Sequence, residues 1–88
     1  MTWGVRWEEG AADELARLTR REPRRARNVR QQILTLAETG HGDVKKLEGR
    51  RDEWRLRVGS WRVTFTYDRP ARELIILALE PRRSAYRD

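Results

Sequence analysis

The sequence predicts an α+β domain in which two antiparallel helices pack on a mostly antiparallel four-stranded sheet, with the element order β-α-α-β-β-β. Residues 54–58 and 61–67 alternate apolar and polar side chains, which is the period of a half-buried strand. Residues 73–79, ELIILAL, form a continuous apolar run, typical of a strand buried on both faces. Between residues 8 and 39, apolar side chains instead recur at the three- and four-residue intervals of amphipathic helices.

The elements before the sheet hairpin follow from local spacing. Residues 2–7, TWGVRW, alternate large apolar side chains with others, so we expect a short strand there. Residues 8–18, EEGAADELARL, predict a first helix, with acidic residues near its start, where the helix dipole favours negative charge. Residues 19–43 hold a second helix, in which Pro23 suits the first turn and Gly40 is a natural stop. We expect residues 41–45 to form a loop.

The register of the central hairpin follows from its turn. Gly59 and Ser60 form a two-residue loop with glycine first, which is typical of a type II′ turn. Val58 then faces Trp61, and Arg57 faces Arg62. The apolar face carries Trp54, Leu56, Val58, Trp61, Val63, Phe65 and Tyr67, and the opposite face carries Arg55, Arg57, Arg62, Thr64 and Thr66. Turn chemistry and alternation give this register independently, and a one-residue slip would expose the aromatic side chains.

The arginines of this hairpin predict an anion site. Like charges directly opposite each other on two strands are destabilising, so the stability of the sheet does not explain why Arg57 faces Arg62. Arg55 lies on the same face, two residues from Arg57, and the face of the hairpin holds no carboxylate. A phosphate would relieve the repulsion, because arginine offers planar paired donors for it. The alternative is that these arginines extend into water or pair with Glu48, Asp52, Glu53 or Glu80.

Composition limits the kinds of protein that the chain can be. We expect one domain spanning residues 1–88, with a thin core, since Leu, Ile, Val and Phe make up 18 of the 88 residues. Four tryptophans supply apolar area, and a partner would add stability. The chain has no cysteine, which excludes a disulfide, an iron–sulfur cluster and a thiol nucleophile. The one histidine, His41, cannot form a metal site alone, so no metal or cofactor is expected.

Charge and the N-terminal sequence bear on partners and location. The formal net charge is +6, and residues 45–88 carry 12 basic and 7 acidic residues, a balance that suits a polyanion or a solvated surface. Seven arginines also lie between residues 17 and 30, where they form either a solvated helix face or an auxiliary nucleic-acid contact. The N-terminal residues contain no long apolar run, so we expect neither a signal peptide nor a membrane span. We therefore expect a cytoplasmic protein.

The segment KKLEGRRDEWRLRVGSWRVTFTYD, followed by a buried strand and RRSAYR, resembles the RelE/ParE toxin superfamily of type II toxin–antitoxin systems. The resemblance spans the whole chain. RelE-like members are ribosome-dependent mRNA endonucleases, whereas ParE-like members poison DNA gyrase and generally lack the basic constellation. The family's basic and tyrosine positions match Arg55, Arg57, Arg62, either Arg82 or Arg83, and Tyr86. All five positions are filled, which favours the RelE branch.

The resemblance implies a metal-independent cleavage in which the RNA 2′-OH attacks the adjacent phosphorus. Arg62 with Arg82 or Arg83 would stabilise the transition state, while Arg55 and Arg57 hold the phosphate. Arginine cannot act as the general base. Tyr86 would stack on a base or transfer a proton, or alternatively pack on the sheet edge. Some relatives use a glutamate in the site, and Glu48 is the nearest carboxylate for that role in this chain.

The resemblance also implies partners: a cognate antitoxin, the ribosome and mRNA. In the alternative functions, the chain inhibits DNA gyrase, or is an inactive homologue that only binds the antitoxin.

Overall fold

The computed structural model describes residues 2–49 and 52–81. In chain order, its elements are β1 (Gly4–Trp7), α1 (Glu9–Arg21), α2 (Pro23–Thr39), β2 (Val44–Lys46), β3 (Trp54–Val58), β4 (Trp61–Asp68) and β5 (Glu73–Pro81). The predicted α+β class and element order are confirmed, with one strand more than predicted.

The strands form a single sheet in the order β1-β5-β4-β3-β2. The edge strand β1 runs parallel to β5, and the other three pairings are antiparallel, so the sheet is mostly antiparallel as predicted. Both helices contact strands of this sheet and each other. Buried side chains from the helices and from β3, β4 and β5 form one apolar core between the two layers.

The helical pair turns at a single residue. Glu22 is both the C-cap of α1 and the N-cap of α2, and Pro23 occupies the first turn of α2, where it costs no helical hydrogen bond. At the far end Gly40 adopts a left-handed φ of 79° and donates its N–H to the Leu36 carbonyl at 2.9 Å. The predicted apolar stripe of α2 is buried.

The short strand β2 corrects the prediction of a four-stranded sheet. We expected a loop over residues 41–45, but Val44–Lys46 pairs antiparallel with β3, with Val44 opposite Leu56. Three residues with two lysines carry no usable periodicity, so pairing with β3 decides their conformation. The connection to β3 is closed by a hydrogen bond from the Leu47 N–H to the Glu53 carbonyl at 2.9 Å.

The hairpin between β3 and β4 has the predicted register. Val58 lies opposite Trp61 and Arg57 opposite Arg62, and Gly59 has a φ of 56°. That angle is the one that a glycine-first two-residue turn requires. On the apolar face Leu56, Val63 and the other core residues of the hairpin are buried against the helices, with Phe65 among the largest fully buried side chains.

The last strand, β5, is less buried than the sequence predicted. Leu74 and Ile76 are buried, whereas Ile75 and Leu77 are half-buried, so only one face is fully covered. A register shift against β4 between Thr64 and Phe65 changes the alternation. Because of this shift, Leu79 joins Ile76 in the core although the two are three residues apart. In the described chain, neither helix has the length and apolar character needed to cross a membrane.

Candidate functional site

Arg57 and Arg62 lie side by side on the sheet face that points away from the helices. The Arg57 N–H donates to the Asp43 carbonyl at 3.0 Å, on the side of β2 rather than of β4. Since the N–H and carbonyl of one strand residue point to the same side, Arg57 and Arg62 form a non-hydrogen-bonded pair, the kind in which opposite side chains approach most closely. The register therefore places two guanidinium-bearing side chains at the closest cross-strand spacing.

Arg55 is less exposed than the other two hairpin arginines. Its side chain is only 10% exposed, against 33% for Arg57. Arg55 Nη1 donates to the Asp43 carbonyl at 2.8 Å and to Asp43 Oδ1 at 3.2 Å. A guanidinium with two acceptors and little exposure has one fixed position, so Arg55 supports the face more than it presents charge to solvent.

Asp43 is the residue that sequence reasoning missed. The hairpin itself has no carboxylate on this face, as predicted, but Asp43 reaches the face from the residue before β2. Its Oδ2 lies 3.7 Å from Arg57 Nη1, in addition to its contacts with Arg55. The partner acids we considered were Glu48, Asp52, Glu53 and Glu80, and Asp43 was not among them. Once β2 is known to pair with β3, continuing the register sets Asp43 opposite Arg57.

The acids that we did consider have other positions. Glu80 on β5 lies opposite Arg62 in the register of β4 and β5, so a negative side chain adjoins the third arginine. Asp52 instead pairs with Arg69, whose Nη1 lies 3.2 Å from Asp52 Oδ2. The arginine face is therefore bordered by Asp43 on one side and by Glu80 on the other.

At the far end of the same face, a network of hydrogen bonds surrounds Asp52. Thr66 Oγ1 donates to the Asp52 carbonyl at 2.6 Å, and Asp52 itself has a left-handed φ of 52°. Burial raises the pKa of the Asp52 carboxyl, but hydrogen bonds from Trp54 and Arg69, with the charge of Arg69, outweigh it, and the pKa lies below its ordinary value. This hydrogen-bond network fixes the connection between β2 and β3.

Tyr67 belongs to the aromatic part of the core. Its ring makes edge contacts with Trp3, Trp54 and Phe65, with centroids 5.5–5.7 Å apart. Burial raises the pKa of the Tyr67 phenol, against the smaller opposing effect of Arg69. A phenol of raised pKa that packs among aromatic rings is a poor proton acceptor at neutral pH, so Tyr67 has a structural role.

Two of the helix arginines are tied to their own helices or to the hairpin turn. Arg17 pairs with Glu14, and Arg25 pairs with Glu22 at 2.8 Å and donates to Ser60 Oγ at 2.6 Å. These contacts favour the interpretation of a solvated, ion-paired face for this part of the helices. They also line a cleft of about 530 Å³ between α1, the hairpin turn and the end of β5.

The remaining predicted residues give no further site. His41 is exposed, and its N–H donates to Thr39 Oγ1 at 3.1 Å. Within residues 2–49 and 52–81, no three His, Cys, Asp or Glu side chains are grouped to hold a metal ion. Arg82, Arg83 and Tyr86 lie outside the described residues.

Comparison with known proteins identifies the family. Residues 5–86 match the family model described as the ParE toxin of the type II toxin–antitoxin system parDE. The chain belongs to this family. The protein is therefore a toxin of a type II toxin–antitoxin system, within the RelE/ParE superfamily that the hairpin and tail sequences predicted.

Solved structures with the same fold come from bacteria and archaea. The chain is similar to the toxin–antitoxin complex RelBE2 from Mycobacterium tuberculosis, with 23% identity, a TM-score of 0.75, and coverage of 93% of this chain and 100% of that one. The archaeal RelE–RelB complex from Pyrococcus horikoshii has 29% identity and a TM-score of 0.63, and the match covers 93% of this chain and 97% of that one. A free E. coli toxin RelE with two arginines replaced by alanine has 14% identity and a TM-score of 0.78, and the match covers 97% of this chain and 88% of that one. No curated protein matches the sequence.

Proposed function

We propose that this toxin is a metal-independent endoribonuclease that cleaves mRNA on the ribosome and so inhibits translation. The observation that carries the proposal is the closely spaced cross-strand pair formed by Arg57 and Arg62 on the sheet face that points away from the helices. Asp43 lies opposite Arg57 and Glu80 lies opposite Arg62, so carboxylates flank the pair and the two guanidinium groups lie side by side, where one phosphate would contact both. Bidentate donors of this kind fit the oxygens of a phosphodiester.

The proposed arginines have different roles. Arg57 and Arg62 contact the scissile phosphate. Arg55 is fixed on Asp43, which also contacts Arg57, so Arg55 supports this arrangement and does not bind the phosphate alone. From the superfamily resemblance, Arg82 or Arg83 adds a further positive charge, and Tyr86 stacks on a base or transfers a proton. All of these groups act without a metal ion or cofactor.

The chemistry uses the substrate's own hydroxyl. The 2′-oxygen attacks the adjacent phosphorus, the bond from phosphorus to the 5′-oxygen breaks, and the products are a 2′,3′-cyclic phosphate and a 5′-hydroxyl. The proton of the 2′-OH passes to a base, and the 5′-oxygen gains a proton as it leaves. Negative charge grows on the phosphate oxygens in the transition state, and one preorganised donor there is typically worth about 3–4 kcal/mol.

The partners follow from the family and from this chemistry. The structural neighbours include toxin–antitoxin complexes, which supports a cognate antitoxin as the binding partner of this chain. The ribosome would present the mRNA, and that would place the toxin in the cytoplasm. Residues around the thin core would gain stability from the antitoxin.

Mapping mRNA 5′ ends after toxin induction tests this function. Wild-type toxin should produce new 5′ ends at positions set by translating ribosomes, and Arg62→Ala should lose about 10²-fold or more of that cleavage. Arg24→Ala is the matched control, because it removes the same charge from an exposed position in α2. Both variants should still copurify with the antitoxin. Equal loss in both variants, or intact mRNA with the wild type, would refute the proposal.

A second candidate is the inhibition of DNA gyrase without nuclease activity. The match to the ParE family model favours it, since ParE-like members poison gyrase. In this case toxin induction should raise DNA-damage signalling while mRNA stays whole. An inactive homologue that only binds the antitoxin would give neither response, so the same cultures separate all three functions.

A further inference from the structure

Asp43 connects two of the three hairpin arginines through both its main chain and its side chain. The Asp43 carbonyl accepts hydrogen bonds from the Arg55 guanidinium and from the Arg57 N–H, at 2.8 and 3.0 Å. The carboxylate places one oxygen 3.2 Å from Arg55 Nη1 and the other 3.7 Å from Arg57 Nη1. Asp43 therefore fixes the backbone of one arginine and contacts the guanidinium groups of both.

The backbone that carries Asp43 is itself held by packing. A Cβ placed on Gly42 would lie 2.9 Å from the Cδ1 of the buried Leu56 and 3.7 Å from Val44 Cγ2. Only glycine allows the chain to come this close to β3 before β2 begins. The position of the Asp43 carboxylate thus depends on packing and not on its ion pairs alone.

The charge of Asp43 has a physical consequence for the arginine face. Three neighbouring guanidinium groups repel one another, and without a counter-charge their side chains would turn away from each other into water. Asp43 supplies one counter-charge, beside Arg55 and Arg57, while Glu80 lies opposite Arg62, and the Asp43 carboxylate remains 57% exposed. Because the carboxylate is more than half exposed, solvent screens part of its charge, and Asp43 neutralises the arginine face only in part.

We propose that Asp43 is a positioning residue, which holds Arg55 and Arg57 in the geometry that receives the phosphate. The inference rests on the proposed phosphate-binding function and deepens it. Asp43 has opposite effects on two steps: its negative charge weakens RNA binding, and its fixed contacts favour the cleavage geometry. A residue that only stabilised the fold would not separate these two effects.

The test compares Asp43→Asn and Asp43→Glu with the wild type. The matched control is Asp13→Asn, which changes the net charge equally on the exposed surface of α1. Binding is measured by fluorescence anisotropy with an RNA oligonucleotide made uncleavable by 2′-O-methyl groups. Cleavage rates are measured on programmed ribosomes at saturating toxin, and urea unfolding shows that each variant is folded at the assay temperature.

We expect Asp43→Asn to bind the oligonucleotide about threefold more tightly, because a negative charge beside the proposed phosphate site is removed. Its maximal cleavage rate should fall about tenfold, because the guanidinium of Arg57 loses its contact with the Asp43 carboxylate while the main-chain contacts of Asp43 remain. Asp43→Glu should restore wild-type binding and part of the rate, and Asp13→Asn should change neither quantity. Equal losses of binding and rate in Asp43→Asn, or no change in either, would overturn the proposal.

A third measurement separates this inference from the proposed function. The Nε–Hε group of Arg57, whose guanidinium contacts the Asp43 carboxylate, should be more rigid in NMR relaxation in the wild type and in Asp13→Asn than in Asp43→Asn. If the wild type fails to cleave mRNA but this difference and the tighter RNA binding are seen, the nuclease function fails and the positioning role stands. If Arg57 is equally rigid in Asp43→Asn and in the wild type, the positioning role is wrong whatever the toxin cleaves.

Discussion

Replacing Arg55 by alanine should destabilise the toxin far more than the same replacement of Arg57, although the two residues are neighbours on one strand face. The Arg55 side chain is 10% exposed and donates to two Asp43 oxygens, whereas Arg57 is 33% exposed and has a longer 3.7 Å contact with Asp43. Equal charges in one short strand thus have different surroundings, and this difference gives a measurable prediction.

The size of the Arg55 effect follows from its contacts. Losing hydrogen bonds from a charged donor costs roughly 1.5–3 kcal/mol, and the half-exposed Asp43 places the cost near the middle of that range. Losing the buried aliphatic stem costs about 2 kcal/mol more. Releasing the side chain in the variant returns up to about 2 kcal/mol of entropy. We therefore expect Arg55→Ala to cost about 2–3 kcal/mol, and Arg57→Ala to stay within about 1 kcal/mol of the wild type.

Urea unfolding followed by tryptophan fluorescence measures both effects, since the core contains tryptophans from several strands. The midpoint should fall clearly for Arg55→Ala, with little change in the slope of the transition. Cleavage should show the reverse order when both variants are assayed in the folded state, with Arg57→Ala the more impaired. Equal destabilisation of the two variants would refute the assignment of Arg55 to support and Arg57 to phosphate contact.

Three further predictions concern the frame around the arginine face. Gly59→Ala should cost about 1 kcal/mol in urea unfolding because of the φ of 56°, while Gly10→Ala in α1, where the added methyl group also meets no atom within 4 Å, should stabilise the protein by about 0.5–1 kcal/mol. Thr66→Val should lose about 1 kcal/mol with the hydrogen bond to the Asp52 carbonyl, and Thr66→Ser should keep most of it; equal losses would exclude the hydroxyl as the cause. Because the folded-state pKa of Asp52 lies below its ordinary 3.8, its stabilisation is present above that value and is lost as pH falls through the lower folded pKa. Urea midpoints measured between about pH 2 and 6 should therefore decline less in Asp52→Asn than in the wild type.

The hairpin could be predicted from the sequence because two independent local signals agree. A glycine-first turn fixes which residues face each other, and strict alternation fixes which face is buried. Both signals lie within residues 54–67, so no distant contact was needed to place Arg57 opposite Arg62. The helical pair was predictable for the same reason, since the apolar stripe, Pro23 and Gly40 are local to it.

The features that the sequence did not reveal depend on contacts between distant segments. The alternation of β5 changes at a register shift that only its pairing with β4 reveals, so the uniform apolar run of residues 73–79 predicted more burial than exists. The strand β2 has three residues, of which two are lysines, and nothing in its composition distinguishes it from a loop. Its existence depends on β3 offering a free edge to pair with.

The missed strand also changes how the arginine face is understood. From the hairpin alone, three arginines lack a counter-charge and require an external anion. With β2 in place, Asp43 lies opposite Arg57, so the free protein already balances part of the repulsion itself. Arg57 and Arg62 lie between Asp43 and Glu80, at the closest cross-strand spacing. The proposed phosphate contact is therefore that one pair and not a three-arginine patch, with Arg55 and Asp43 as its support.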